Sequence, residues 1–177
     1  MRKLIYKVRE IPIASETFVI SHIAHAIKKG FLVNIIPDKV YSIDTSSQAS
    51  LIAETKLLEK VTLYTSPTIK SRRIKDVLLL FLKNPFVLYY FIQLCSIYKK
   101  NTWEYLFYLK FYKQYTAQDV FHVHFAKAVG LLFHLKRIGF LKSKIVITFH
   151  GYDAYALPEG TALSALIKDY DRFVHAI

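Results

Sequence analysis

A single cysteine, Cys95, stands among 177 residues. It cannot close an internal disulfide, which fits a reducing compartment. Five glycines and five prolines are too few for long disordered stretches. No G-x-G-x-x-G opens a helix, which argues against a bound NAD or FAD, and no G-x-x-x-x-G-K supplies a phosphate-cradling loop. No G-x-S-x-G elbow presents a nucleophilic serine. The segment from Met1 to Arg9 carries basic residues throughout its short apolar run. It lacks the apolar region and cleavage site of a secretory signal, so a cytosolic protein is expected. Acidic residues are scarce as well. Thirteen Asp and Glu face 25 Lys and Arg, leaving a formal charge of +12. That excess calls for an anionic partner: nucleic acid, an anionic membrane or a phosphorylated substrate.

Apolar residues are abundant, at 53%, and their spacing alternates between strand and helix. Lys3 to Val8 reads as a strand, and Ile11 to Ala14 as a loop. Ser15 is the expected N-cap of a helix, with Glu16 set favourably against the helix dipole. Phe18, Ile20, Ile23, Ala24 and Ile27 follow at helical spacing, with His22, His25 and Lys28 between them. Gly30 suits a left-handed cap. Phe31 to Ile36 is a strand stopped by Pro37, completing a βαβ unit with a right-handed crossover. Residues 44–50 read as a polar loop. A short helix is expected from Ala49 to Glu59 and a third strand from Val61 to Tyr64.

Lys70 to Gln114 reads as two or three helices, punctuated by Asn84-Pro85 and by Asn101 with Glu104. Asp119 to Phe125 is a strand, Ala126 to Arg137 a helix capped by Gly139, and Lys144 to Phe149 a buried parallel strand. Thr161 to Asp169 reads as helix. Arg172 to Ile177 begins a strand in which the chain stops, as expected of a fragment or a truncated reading frame. No internal repeat is visible. The predicted fold is α/β, a doubly wound parallel Rossmann-like sheet with a basic helical insert at 70–116.

Open parallel sheets bind ligands beyond the carboxyl ends of their strands. Two segments fall there. Ser15, Glu16 and Thr17 open a helix after the first strand, where free backbone N–H groups and hydroxyls suit phosphate or carboxylate. The plainer reading is that Ser15 only caps the helix. His150, Gly151 and Asp153 follow the late apolar strand. Gly151 allows close backbone approach, His150 can donate to a hydroxyl or phosphate, and Asp153 can accept from a sugar hydroxyl or orient the histidine. The plainer reading is an Asx turn. His122 and His124 share one strand face and could meet one ion, and His22 and His25, three apart on the helix, could likewise meet. No cysteine or carboxylate completes that set, so packing or substrate contact is preferred, with His124 the better crevice residue.

Val77 to Tyr98 is apolar enough to raise the question of a membrane span. Lys83-Asn84-Pro85 interrupts it, and neither half is long enough to cross. Between Lys70 and Lys113 nine basic residues face only Asp76 and Glu104. Helices lying on a membrane surface are the preferred reading, with Arg72, Arg73, Lys75, Lys99, Lys100 and Trp103 as contacts. Tyr89, Tyr90, Tyr98, Tyr105 and Tyr108 suit an interfacial belt. The plainer reading is an apolar helix pair packed on the sheet.

These segments together resemble the N-terminal domain of family 4 retaining glycosyltransferases of GT-B architecture. The closest kinds are those building bacterial exopolysaccharide, capsule, lipopolysaccharide or colanic acid. The resemblance runs nearly end to end. It rests on Pro12 with Ser15-Glu16-Thr17-Phe18, on His122-Val123-His124-Phe125, and on Thr148, His150, Gly151 and Asp153. It implies transfer of a sugar from a UDP- or GDP-sugar to a lipid-linked or glycan acceptor, with no metal or other cofactor required. It implies that His150 faces the donor sugar as the catalytic residue. Ser15, Glu16, Thr17, His124, Gly151 and Asp153 would line or support the substrate cleft. It also implies a separate C-terminal domain that grips the nucleotide, which these residues do not contain, so the chain alone is expected to be inactive. A peripheral position at the inner face of the cytoplasmic membrane follows.

Two other classes compete. One is a catalytically inactive module binding membrane or a partner. The other is a nucleic-acid binder, disfavoured because the bases are interleaved with Leu and Phe at helical spacing and no nucleic-acid motif occurs.

Overall fold

The computed structural model describes residues 3–98, 103–115, 117–150 and 167–176. The chain divides into two compact units. One comprises residues 1–63, 117–130 and 143–177, the other residues 64–116 and 131–142.

The first unit is built on five parallel strands: β1 (Lys3–Ile11), β2 (Leu32–Val40), β3 (Val120–His124), β4 (Lys144–Thr148) and β5 (Val174–Ala176). Their order is β2-β1-β3-β4-β5. A lone bridge from Ile35 to Val61 lies outside β2. Counted as a rudimentary strand, it yields the 3-2-1-4-5-6 order of dinucleotide-binding folds, with the switch point between β1 and β3. The α/β, all-parallel, Rossmann-like expectation is therefore met.

Helix α1 (Thr17–Lys28) returns the chain from β1 to β2. It buries Val19, Ile20, Ile23, Ala24 and Ala26. These pack with Tyr6, Val8 and Ile11 of β1, Ile35 of β2, and Ile52 and Leu57 beyond. Burying such side chains is worth about 1.5–3 kcal/mol each, so this packing outweighs helix propensity. Phe18 departs from the expected core stripe and stays 42% exposed.

The end of α1 is a Schellman motif at Gly30, as expected. Phe31 N–H donates to the Ala26 carbonyl at 3.2 Å and Gly30 N–H to Ile27 at 2.9 Å, with Gly30 at φ +81°. The start differs from expectation. Glu16, not Ser15, is the N-cap residue, and no side chain caps it. The Ile11–Pro12 peptide is cis.

β2 does not stop at Pro37; it continues to Val40, with Pro37 in register with Val8. Ile35 turns its carbonyl outward to accept from Thr62 N–H at 2.8 Å. Pro37, two residues on, has the same orientation, so its missing donor faces the open edge and breaks no ladder bond. The expected strand from Val61 to Tyr64 shrinks to the single bridge. The Asn34 amide takes over there, donating to Thr62 Oγ1 at 2.7 Å and to the Lys60 carbonyl at 3.4 Å. The expected loop at 44–50 contains a 3-10 turn, Ile43–Thr45. The expected helix Ala49–Glu59 divides into α2 (Ala49–Glu54) and a 3-10 turn, Leu57–Lys60, because Lys56 adopts φ +49°.

The expected helix from Ala126 also divides. A 3-10 turn, Ala126–Ala128, precedes α6 (Gly130–Arg137); a glycine inside a continuous helix would cost about 1 kcal/mol. α7 (Ile167–Phe173) includes Arg172 and Phe173, which therefore do not begin the last strand. The rest of the expected helix from Thr161 lies outside the described residues.

The second unit holds α3 (Lys70–Lys83), α4 (Phe86–Tyr98) and α5 (Glu104–Tyr112), with most of α6. Helices α3 and α4 meet at a bend of 119°. Asn84 closes α3, and its carbonyl accepts from Val87 N–H of α4 at 3.1 Å. A second Schellman motif ends α6, where Gly139 at φ +71° donates to Lys136 at 2.9 Å and Phe140 to Leu135 at 3.0 Å. No single described helix is long and apolar enough to cross a membrane.

Candidate functional site

The candidate site lies in the first unit, at the carboxyl ends of β1, β3 and β4. Strand alternation sorts β3 into two faces. Phe121 and Val123 are fully buried on one. His122 and His124 take the other, beside Tyr6 of β1, with which His122 is in register. The Tyr6 ring stacks on His122 at 5.2 Å and on His124 at 5.8 Å.

Helix α1 then brings in His22. Its ring stands edge-on to His122 at 4.9 Å and to His124 at 5.4 Å. His22 Nδ1 lies 3.4 Å from His124 Nε2. From β4 and the residues after it come Thr148, whose Oγ1 meets His122 Nε2 at 2.8 Å, and His150, whose Nε2 meets His124 Nδ1 at 2.9 Å. His124 thus sits between two imidazoles. It is 1% exposed, while His22 is exposed and His150 half-buried.

Two phenyl rings wall the His150 side. Phe18 approaches His150 at 4.3 Å and Phe125 at 4.7 Å. Phe125 has φ +71°. A bulky residue held there is backbone strain of about 1–3 kcal/mol, of the kind that collects at functional sites. Its N–H donates to the Thr148 carbonyl at 3.1 Å, which ties it to β4.

Electrostatics follow from the packing. Burial, then neighbouring imidazoles, lower the pKa of His122 to about 4 and of His124 to about 3. Burial and His25 lower that of His22. Burial raises Tyr6 to about 12, so its phenol keeps its proton. His22, His122 and His124 are therefore held in the neutral form at pH 7 and can hydrogen-bond or coordinate without carrying charge.

Among the expected site residues, His124 and His150 are brought together. Gly151 and Asp153 lie outside the described residues. Ser15 is exposed, with Glu16 and Thr17 half-buried at the start of α1. Burial, with Glu10 nearby, raises the Glu16 pKa, against Arg9 which lowers it. Their neighbour Phe18 is the residue that touches His150. Helical spacing pairs His22 with His25 as a possible ion site; the structure sets His22 against His122 and His124 instead, and Tyr6 carried no signal. The signal for His22 was its place on α1 three residues before His25, but only the crossover of α1 over β1 and β3 tells which partner it meets. His25 is exposed instead.

The expected membrane contacts belong to the second unit. Arg72 and Lys75 are exposed, and Trp103 is 61% exposed. Arg73 is engaged within the unit, donating to Glu104 at 2.9 Å with its guanidinium over the Phe107 ring at 5.6 Å. Lys99 and Lys100 lie outside the described residues. Tyr105 is 7% exposed, so the packing of α5 withdraws it from any interface, while Tyr108 is half-buried and stacks on Tyr64 at 4.5 Å. Tyr89 remains 58% exposed. On α3, Ile74, Leu78 and Leu82 form an exposed apolar stripe at four-residue spacing, 55%, 58% and 81% accessible. An apolar cavity of about 630 Å³ lies beside it, lined by Ile74, Val77, Phe81, Trp103 and Phe107.

Searched against family models, curated proteins and solved structures, the chain matches none.

Proposed function

We propose that the chain is the acceptor-side domain of a retaining GT-B glycosyltransferase, acting with a second, nucleotide-gripping domain. The sugar passes from a UDP- or GDP-sugar to a hydroxyl of a lipid-linked or growing glycan. One observation carries this reading. The three segments on which the family resemblance rests converge at the carboxyl ends of neighbouring parallel strands. Phe18 stands 4.3 Å from His150, and His124 Nδ1 stands 2.9 Å from His150 Nε2.

In this reading His150 is an oriented donor to a hydroxyl of the transferring sugar. His124 fixes its ring from one side, and Phe18 and Phe125 keep water from the other. The N-terminal turn of α1, with Ser15, Glu16 and Thr17, faces the donor phosphates or the acceptor. Catalysis comes from positioning and from electrostatic stabilisation of the departing diphosphate. The acceptor resides in the membrane, and the exposed stripe of α3 with Arg72, Lys75 and Trp103 docks on anionic lipid at the cytoplasmic face.

The test is transfer of labelled sugar from UDP- and GDP-hexoses to extracted lipid-linked saccharides, by the chain joined to a nucleotide-sugar-binding domain. His150→Ala lowers kcat about 100-fold with only a small loss of stability, the chain still unfolding cooperatively. Unchanged turnover removes His150 from the site. A second reading, a membrane- or partner-binding module without catalysis, is favoured by the exposed apolar stripe alone. It prevails if vesicle binding persists while no donor and acceptor pair gives transfer.

A further inference from the structure

The histidine cluster has a capacity that sugar transfer does not use. His122 and His124 alone offer an ion only two donors. The crossover of α1 adds the third, since one ring nitrogen each of His22, His122 and His124 lies within 4.8 Å of the other two. Zinc binds imidazole nitrogen at about 2.0–2.1 Å, so two ligands of one tetrahedral ion stand about 3.3–3.4 Å apart. His22 Nδ1 and His124 Nε2 are 3.4 Å apart. That spacing is long for an N–H···N hydrogen bond and matches a shared ion. We propose that His22, His122 and His124 form a three-imidazole site for a borderline divalent transition-metal ion of the Zn²⁺ type.

The surroundings fit that chemistry. Ligating histidines are commonly oriented by hydrogen bonds from their other nitrogen. His150 holds His124 through Nδ1 at 2.9 Å, leaving Nε2 for the ion, and Thr148 orients His122 at 2.8 Å. A coordinating imidazole must be neutral, and burial lowers the pKa of all three rings. Imidazole donors suit zinc, copper, iron and nickel, and exclude magnesium and calcium, which take oxygen. His22 is exposed, so the ion has an entry path. Three protein ligands leave a fourth position for water or an oxygen of a bound molecule. The site stands independently of the sugar-transfer reading.

Chelator-treated chain titrated with Co²⁺ decides the matter. The expected result is one ion per chain, with the intense visible absorption of a low-coordinate Co²⁺–imidazole centre, abolished by one equivalent of Zn²⁺. His22→Asn, at an exposed position, weakens Zn²⁺ binding more than about 100-fold, and Thr148→Val weakens it about 10–100-fold. His25→Asn, on the same helix, leaves binding unchanged. A spectrum of the hydrated ion alone overturns the site, as does an equal loss in the His22 and His25 variants. Co²⁺ binding without sugar transfer removes only the transfer reading; transfer without Co²⁺ binding removes only the metal site.

Discussion

His124 lies among three other imidazoles, those of His22, His122 and His150. A proton placed there would be cut off from water and set beside groups that carry the same charge when protonated. His122 and His124 therefore stay neutral in the fold and regain their ordinary basicity when the chain unfolds. Between the unfolded value of 6.5 and the folded values of about 4 and 3, the unfolded chain binds more protons than the folded chain. Stability is thus fully present above that window and falls with acidification through it, by about 1.4 kcal/mol per pH unit for each of His122 and His124. Urea midpoints of metal-free protein at pH 7.5 and about pH 5 test this; equal midpoints would mean the rings are not held neutral. Arg73 supports a second residue-scale prediction. Its bond to Glu104 and its place over Phe107 are partly shielded from solvent. Arg73→Ala lowers stability by about 1 kcal/mol, whereas Arg72→Ala, exposed, leaves the denaturation midpoint unchanged.

At the scale of elements, the helix ends are local devices. Gly30 and Gly139 each sit at positive φ and close a pair of backbone bonds. A Cβ at Gly30 would meet nothing within 4 Å. The cost of Gly30→Ala is therefore backbone strain alone, about 1 kcal/mol, read as a lower unfolding midpoint with unchanged m-value. A loss several times larger would mean that Gly30 is crowded. Both glycines were legible because the left-handed requirement is satisfied within one turn. Pro37 was misread because an edge position, set by the whole sheet, decides whether a missing N–H matters. Val61 to Tyr64 was misread because a side-chain amide, Asn34, competes for the groups a strand would have paired.

At the scale of the molecule, the exposed Ile74–Leu78–Leu82 stripe and its flanking bases predict binding to vesicles. Each basic residue near an anionic surface is worth about 1 kcal/mol, so Arg72→Glu with Lys75→Glu weakens binding to phosphatidylserine or phosphatidylglycerol vesicles at least about tenfold. Cosedimentation at low and high salt measures it. Binding that is unaffected by both substitutions and by salt would remove the electrostatic part of the docking surface.

The alternation of apolar periods two and 3.6 determined the parallel α/β class, because each strand and helix carries its own buried face. It also determined that His124 and His150 fall at strand ends, since both follow directly from where an apolar run stops. The charge and apolar content of residues 70–113 were equally plain. The sequence could not say that Arg73 is already paired, that Phe18 leaves the core for His150, or that His22 joins His122 and His124. Those are facts of crossing elements: α1 passes over β1 and β3, and residues about a hundred positions apart meet only when the sheet order places their strands side by side. The strand order, and with it the gathering of four imidazoles at one end of the sheet, was decided by tertiary packing, where the burial of α1 against β1 and β2 outweighs every local preference.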